Sequence, residues 1–374
     1  MTVRRLRIRA YRSIRALDLP LDALTVFVGP NGTGKSNLYR AMMLLAAAAD
    51  GSLAATLAQE GGMPSALWAG TRRKGSVHLD LGVTLDRWAY DVRLGLPAAA
   101  EAALRLDPMI RQETVTIADG PRKVALVERK GPSVWVRNIE GRRVAYEYEL
   151  LSSETALAGI RDPVAFPELA VLQQELGGWR FYQHFRTDPH SPLRQPQVGI
   201  CTPVLSSDGR DLAATLETAA QIGDPHAVNA AINDAFPGAR LALSEERGRY
   251  TLGLQMPGFH RPFEAPELSD GTLRYLCLVG ALLGYRLPNF LALNEPETSL
   301  HPALLEPLAR LIAAAARRTQ VWVVTHSEPL ADHLARIAGC TPRRISMVNG
   351  ETRIEGLSLI GRFADDEEDE EEDA

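Results

Sequence analysis

The stretch Leu24-Thr25-Val26-Phe27-Val28 runs straight into Gly29-Pro30-Asn31-Gly32-Thr33-Gly34-Lys35-Ser36-Asn37. The first five residues read as a short strand buried on both faces. From Leu38 to Ala49 the chain is rich in Ala, Leu and Met, which favour helix. Between them, Gly29 to Ser36 fits G-x-x-x-x-G-K-[ST], a phosphate-loop pattern. Glycines let the backbone curl so that successive N–H groups point inward at phosphate oxygens. The helix that follows offers its N-terminus to the same anion. Lys35 supplies a point charge, and the Ser36 hydroxyl can ligate Mg²⁺. The alternative is a Gly-rich turn before a helix. Strand, loop and helix in this order are the context a nucleotide loop needs. Asn31, Gly32, Thr33, Gly34, Lys35, Ser36 and Asn37 are therefore the expected nucleotide contacts.

Outward from this loop the character of the chain changes twice. Val3 to Ile8 alternates as a half-exposed strand does, so two strands are expected in the first 28 residues. From about 51 to 180, the alternating runs Val77 to Leu94, Thr114 to Ile117, Val124 to Val127 and Val134 to Tyr148 predict antiparallel β structure. A helix is expected near Ala98 to Leu106. No heptad run long enough for a coiled-coil arm is present. Residues 210 to 235 read as helical and Leu241 to Met256 as a hairpin. Thr272 to Leu283 reads as an apolar helix, Phe290 to Leu293 as a strand, Pro302 to Ala316 as a helix and Val321 to Val324 as a buried strand. Strand–helix alternation near both ends predicts an α/β fold, a mixed central sheet with helices, carrying an inserted antiparallel β-rich region. The expected organisation is one composite unit over 1–363, with a P-loop part (1–50), the insertion (51–180) and a later lobe (181–363). The acidic tail 364–374 is expected to be disordered.

Three later motifs sharpen the reading. Leu268-Ser269-Asp270-Gly271-Thr272 precedes the apolar helix. Phe290-Leu291-Ala292-Leu293-Asn294-Glu295-Pro296-Glu297-Thr298-Ser299-Leu300-His301-Pro302 follows it, and Val321-Trp322-Val323-Val324-Thr325-His326-Ser327 closes the series. In this order they resemble the ABC-type ATPase head of the RecF/SMC branch. The likeness is closest to predicted ATPases that share an AAA-type ATP-binding domain with RecF and the OLD nucleases, and it covers about 1–50 and 200–330. The resemblance implies a P-loop NTPase fold using ATP and Mg²⁺. It makes Leu268 to Thr272 the signature motif, with Ser269 and Gly271 meeting ATP bound by a second copy, hence an ATP-sandwiched homodimer. It makes Phe290 to Glu295 the Walker B strand, Ser299 to Pro302 the D-loop and His326 the switch histidine. Tyr11-Arg12-Ser13-Ile14 resembles a segment whose Arg12 reaches the nucleotide phosphates. Glu295, at the end of a buried strand, is expected to orient or deprotonate the attacking water, and His326 to sense the γ-phosphate, with Lys35 completing the catalytic set. Ser269 reads equally as a plain N-cap.

Asn294 departs from that pattern, which has Asp there. Its amide oxygen can accept from a Mg²⁺-bound water but carries no charge, so weaker Mg²⁺ binding and slow turnover are expected, as in a switch. Gln183, just after a plausible strand at Trp179 to Tyr182, is the candidate for the remaining metal contact beside Ser36 and Asn294. His184, Asp188 and His190 sit among prolines and read as a loop rather than a metal site.

The charge arithmetic separates two regions. The 374 residues carry 41 Lys+Arg and 46 Asp+Glu, a net of −5. Nine acids in a row, Asp365 to Asp373, account for more than that, leaving the remainder at +4. Residues 70 to 146 hold 14 Lys+Arg and 9 Asp+Glu, with clusters at Arg72-Arg73-Lys74, Arg122-Lys123, Arg129-Lys130 and Arg142-Arg143. These are either a backbone-directed, non-specific surface for double-stranded DNA or solvated hairpin turns. Two functions follow. One is an ATP-gated DNA-binding switch in repair or genome maintenance. The other is a regulatory or defence ATPase whose ATP-bound dimer controls a separate effector protein. With 48 residues after His326, no C-terminal nuclease domain is expected. Nor is a transporter subunit, whose signature is normally LSGGQ-like. Composition at 45% hydrophobic and 23% charged is that of a globular chain, so disorder and fibrous structure are excluded. Three scattered cysteines argue against a disulfide framework, and the absence of an apolar leader or membrane span places the expected location in the cytoplasm.

Overall fold

The computed structural model describes residues 1–71, 77–97, 104–358 and 361–363. In chain order its strands are β1 (Val3–Tyr11), β2 (Ile14–Pro20), β3 (Leu24–Val28), β4 (Leu79–Leu85), β5 (Trp88–Gly95), β6 (Met109–Asp119), β7 (Arg122–Lys130), β8 (Ser133–Arg137), β9 (Arg143–Ala145), β10 (Arg180–Tyr182), β11 (Gln197–Val198), β12 (Arg240–Glu246), β13 (Arg249–Gln255), β14 (Phe263–Glu264), β15 (Phe290–Asn294), β16 (Gln320–Thr325), β17 (Arg343–Val348) and β18 (Glu351–Ile354). They belong to two compact units. One comprises Met1–Asp22, Gly29–Trp179 and the segment from Arg343 onward; the other comprises Ala23–Val28 and Arg180–Pro342.

In the first unit an antiparallel sheet runs β2-β1-β4-β5-β6-β7-β8-β9. The opening strand is thus a hairpin, β1 with β2, and both strands belong to the antiparallel sheet with β4 to β9. Three strands, not two, precede Gly29. The predicted strand from Val134 to Tyr148 is broken at Asn138 by a turn and ends at Ala145. Of the predicted helix near Ala98 to Leu106, residues 98–103 lie outside the described residues, and 104–106 are not helical. Arg72-Arg73-Lys74 and the acidic tail 364–374 also lie outside them.

One buried ionic cluster stiffens this sheet. Glu113 of β6 is wholly buried and accepts from the N–H groups of Ala156 (2.6 Å) and Leu157 (2.9 Å) and from the Tyr90 hydroxyl (3.1 Å). Arg129 of β7 is also buried and donates to the carbonyls of Gly131, Leu151 and Glu154. This corrects the expectation for the Arg129-Lys130 cluster. Only Lys130 is on the surface; Arg129 faces inward and fastens the 151–154 loop.

In the second unit β10, β15, β16 and β3 form a parallel array in that order. Every residue of β3, β15 and β16 is buried, which explains their continuous apolar runs. Trp322 lies between Phe27 (centroids 5.0 Å) and Phe290 (6.0 Å). Helices Asp270–Leu283, Leu305–Ala316 and Glu328–Ala338 cover the array, and their apolar faces merge with it in one core. The predicted helix over 210–235 is two, Leu212–Ile222 and Pro225–Ala235, parted at Gly223 and re-started by the Asp224 side chain accepting from His226 and Ala227. The hairpin β12–β13 forms with β11 and β14 a small antiparallel sheet. Among the described residues no helix is long and apolar enough to cross a membrane.

Glu113→Ala strands three interior donors and is expected to cost on the order of 3 kcal/mol in chemical denaturation. Burial is the main cause that holds the Glu113 carboxyl above its ordinary range. A carboxyl raised in the folded state contributes most below its unfolded pKa and loses that contribution as pH rises through the folded value. The gap in stability between wild type and Glu113→Ala should therefore narrow as pH rises; a gap that widens contradicts the assignment.

Candidate functional site

The phosphate loop lies in the first unit. Helix Lys35–Asp50 starts at Gly34, which has φ 92° and supplies no side-chain cap, so its leading N–H groups keep their capacity for an anion. Lys35 is buried, and its Nζ donates to the carbonyls of Gly29 (2.5 Å) and Pro30 (2.6 Å). Thr33 Oγ1 also donates to Pro30 O, at 2.9 Å. Asn31 and Gly32 are exposed and Ser36 half-buried.

The loop's glycines do not all answer to the same cause. A Cβ on Gly29 would come 2.4 Å from the Ile345 carbonyl oxygen of β17. A Cβ on Gly34 would come 1.9 Å from Thr352 Oγ1 of β18, on top of the positive φ. Gly32, with φ 81°, has open space, so there conformation alone favours glycine. Hairpin β17–β18 thus packs on the loop at both ends. Thr352 Oγ1 hydrogen-bonds Thr33 O (3.0 Å) and Ser13 Oγ (2.6 Å), and Asn37 Nδ2 donates to Ser13 Oγ (2.7 Å). Thr352 carries no motif; only its place in the fold marks it. Arg12, at φ 48°, donates to Glu60 Oε2 (2.8 Å), which also accepts from the Tyr11 hydroxyl (2.8 Å). Glu60 therefore holds Arg12 in place.

The second unit gathers the later motifs at the carboxyl ends of its parallel strands. Register pairs Tyr182 with Leu293, Asn294 with Val324, and Thr325 with Val28. Gln183 follows Tyr182 directly, beyond the last registered pair, and is exposed, and Glu295 and His326 leave neighbouring strands at the same edge. Ligand sites of parallel sheets lie outside this edge. Asn294 is buried, and its Oδ1 has no hydrogen-bond partner among the described residues. A buried acceptor left open is what a water held by a cation would satisfy, so the residue fits a Mg²⁺ site.

Glu295 turns the chain at φ 49°. Its N–H donates to Val324 O (2.7 Å), and its carbonyl accepts from Arg274 Nη2 (3.2 Å). Arg274 is buried, and desolvation pulls its pKa below the ordinary range, opposed by nearby Cys277, Glu297 and Glu295. His326 Nδ1 is 3.8 Å from Glu295 Oε1 and 3.2 Å from Glu297 Oε1. Glu297 is interior and also accepts from the Thr325 hydroxyl (2.5 Å) and the His326 N–H (3.1 Å). The motif reading gave Glu297 no role; its burial was the missing signal.

Ser269 caps helix Asp270–Leu283 by accepting from the Thr272 N–H (3.1 Å) and remains exposed. A Cβ on Gly271 would come 2.7 Å from Ser299 O, so the helix start touches the turn after β15. Arg194, from a distant part of the chain, fixes this start. It donates to the carbonyls of Ala265 (2.8 Å) and Leu268 (3.0 Å) and pairs with Asp270 at 2.7 Å. Asp188 is occupied by Arg186 and the His190 N–H, and no group of three His, Cys, Asp or Glu side chains among the described residues could hold a metal.

Residues 185–332 match a family model described as "AAA domain, putative AbiEii toxin, Type IV TA system", and residues 1–64 match one described as "AAA ATPase domain". A stretch of 43 residues is 44% identical to part of an OLD nuclease from Thermus scotoductus, covering 12% of this chain and 8% of that protein. The chain thus spans less than a tenth of that relative's length. Among solved structures, an SMC head bound to the C-winged helix domain of ScpA superposes with a TM-score of 0.53 at 15% identity, over 96% of this chain and 99% of that one. An SMC head with an extended coiled coil, bound to the C-terminal domain of ScpA derived from Pyrococcus furiosus, gives 0.51 at 14% identity over 99% of each chain. The chain carries AAA-type ATPase sequence at both of its motif-bearing segments and folds as a P-loop NTPase of the SMC-head kind.

Gly29→Ala and Gly34→Ala should each weaken ATP binding at least about tenfold in a fluorescent-nucleotide titration, since neither obstructing atom can move freely. Thr352→Val, which removes only the hydroxyl links to Thr33 and Ser13, should weaken it several-fold. Unchanged affinity in Thr352→Val would show that the hairpin does not shape the loop.

Proposed function

We propose that this protein is an ATP-hydrolysing switch that closes into a homodimer around ATP and opens after hydrolysis. The observation that carries the reading is the strand-end cluster, where Asn294 Oδ1 is buried with no partner among the described residues and Glu295 and His326 emerge beside it. ATP phosphates are held by the backbone of 29–36 and by Lys35, once its amine leaves the Gly29 and Pro30 carbonyls. At the strand ends Asn294 and Gln183 would be the residues to hold Mg²⁺, which when bound would supply charge neutralisation to the phosphate oxygens. Glu295 accepts a proton from, or orients, the attacking water. Exposed Ser269 offers its hydroxyl and the helix N-terminus to ATP on a second copy.

For the output of the switch, the charges weigh toward a protein partner. Arg129 is interior, Arg142 pairs with Glu140, and Arg143 pairs with Glu128 while lying over the Trp135 ring. That leaves Arg122, Lys123 and Lys130 exposed with no ion pair among the described residues, while Arg142 and Arg143 are exposed but paired. The two SMC heads were solved with a ScpA domain bound, and the matched family description names a toxin system; both favour an effector-controlling ATPase. The DNA-maintenance reading keeps the exposed basic remnant in its favour.

Size exclusion of Glu295→Gln protein should show a dimer with ATP·Mg²⁺ and a monomer without it. A monomer in both would sink the sandwich. Repeating the run with double-stranded DNA separates the outputs: indifference favours a protein effector, and DNA-promoted dimerisation that weakens steeply with salt favours genome maintenance. Asn294→Asp restores a charge at the metal edge and should lower the Mg²⁺ needed for half-maximal ATPase and raise turnover. No change in either would refute the role given to Asn294.

A further inference from the structure

Glu297 is the most enclosed ionisable group at the strand ends. Its side chain is 5% exposed, against 33% for Glu295 and 42% for His326. A carboxylate is seldom enclosed to this degree unless donors surround it. Here they converge on one oxygen. The Thr325 hydroxyl accepts from the Ser327 N–H (2.9 Å), which leaves its own proton for Glu297 Oε1 at 2.5 Å. The backbone N–H of His326 reaches the same oxygen at 3.1 Å. Glu297 Oε2, by contrast, is buried and has no hydrogen-bond partner among the described residues, so every contact the carboxylate makes falls on Oε1. A third group lies at ion-pair distance: His326 Nδ1 is 3.2 Å from the same oxygen and 3.8 Å from Glu295 Oε1, on a side chain that is otherwise largely open to solvent.

We propose that Glu297 is the positioning residue for His326. Its carboxylate requires a proton on Nδ1, which fixes the ring tautomer and plane and turns Nε2 to the open side of the sheet edge. The ring of a free histidine side chain prefers the proton on Nε2, so the protein selects the less common form. The fixed direction is what an imidazole needs to meet a phosphate oxygen at a reproducible place. This part rests on the ATPase reading above; the tautomer does not.

The test uses full-length protein labelled with ¹⁵N-histidine, with the His326 resonances assigned by their loss in His326→Ala. At a pH where the ring is neutral, two-bond ¹H–¹⁵N spectra of nucleotide-free wild type should show Nδ1 protonated. Glu297→Met, which keeps the bulk but no acceptor, should shift His326 toward Nε2 protonation. Glu297→Gln, whose amide oxygen can still accept, should retain the wild-type pattern. In ATPase assays Glu297→Met should lose about tenfold in kcat with KM for ATP within about twofold, and Glu297→Gln should recover most of the loss. Nε2 protonation in wild type, or an unchanged tautomer in Glu297→Met, would overturn the proposal. If Glu297→Met does not fold, the wild-type spectrum still decides. A wild type without ATPase activity would remove the ATPase reading while leaving the tautomer result to judge Glu297.

Discussion

Strands β3, β15 and β16 are buried on both faces, so none of them has a polar face to present. Polar chemistry in such an array can appear only where the strands stop. Parallel register then decides which stops coincide: Asn294 lies level with Val324, and Thr325 with Val28. One hydrophobic requirement thus brings an amide, two carboxylates and an imidazole to one edge, although they come from segments about thirty residues apart. The chain pays for this with a positive φ at Glu295, and the buried Arg274 braces its carbonyl.

The phosphate loop obeys a different constraint, that of close approach. Gly29 and Gly34 are small because hairpin β17–β18 occupies the space a side chain would need. In a phosphate loop read as a pattern, glycine stands for backbone freedom. Here two of three positions also answer to sterics, and the third, Gly32, to conformation alone. A segment more than three hundred residues away therefore takes part in shaping the loop, through Thr352.

Much of the architecture was legible because its signals are local. The apolar runs of β3, β15 and β16, the Ser269 cap and the β12–β13 hairpin follow from short-range periodicity and turn chemistry. The pairing of β1 with β2 and β4 was not legible, since an alternating strand does not announce its neighbour. The interruption at Gly223 was readable in hindsight from Gly-Asp-Pro, a stop followed by a cap. Arg129 misled because sequence records its charge but not its direction: on β7 it faces inward, onto carbonyls of the 151–154 loop. Net charge over a β region therefore overstates its charged surface.

By itself the sequence determined which strand–loop–helix segment carries the phosphate-loop pattern and which strand ends carry Asn294, Glu295 and His326, because these depend on residue type at fixed local spacing. Only the tertiary structure decided that Glu297 faces inward to His326, that Glu60 holds Arg12, that Arg194 fixes the start of helix Asp270–Leu283, and that Thr352 packs on Gly34. Each of these is a pairing whose stability depends on desolvation and distance rather than on spacing along the chain. A carboxylate such as Glu297 has the same side chain on a surface or in a core. What it does is set by the donors the fold places around it.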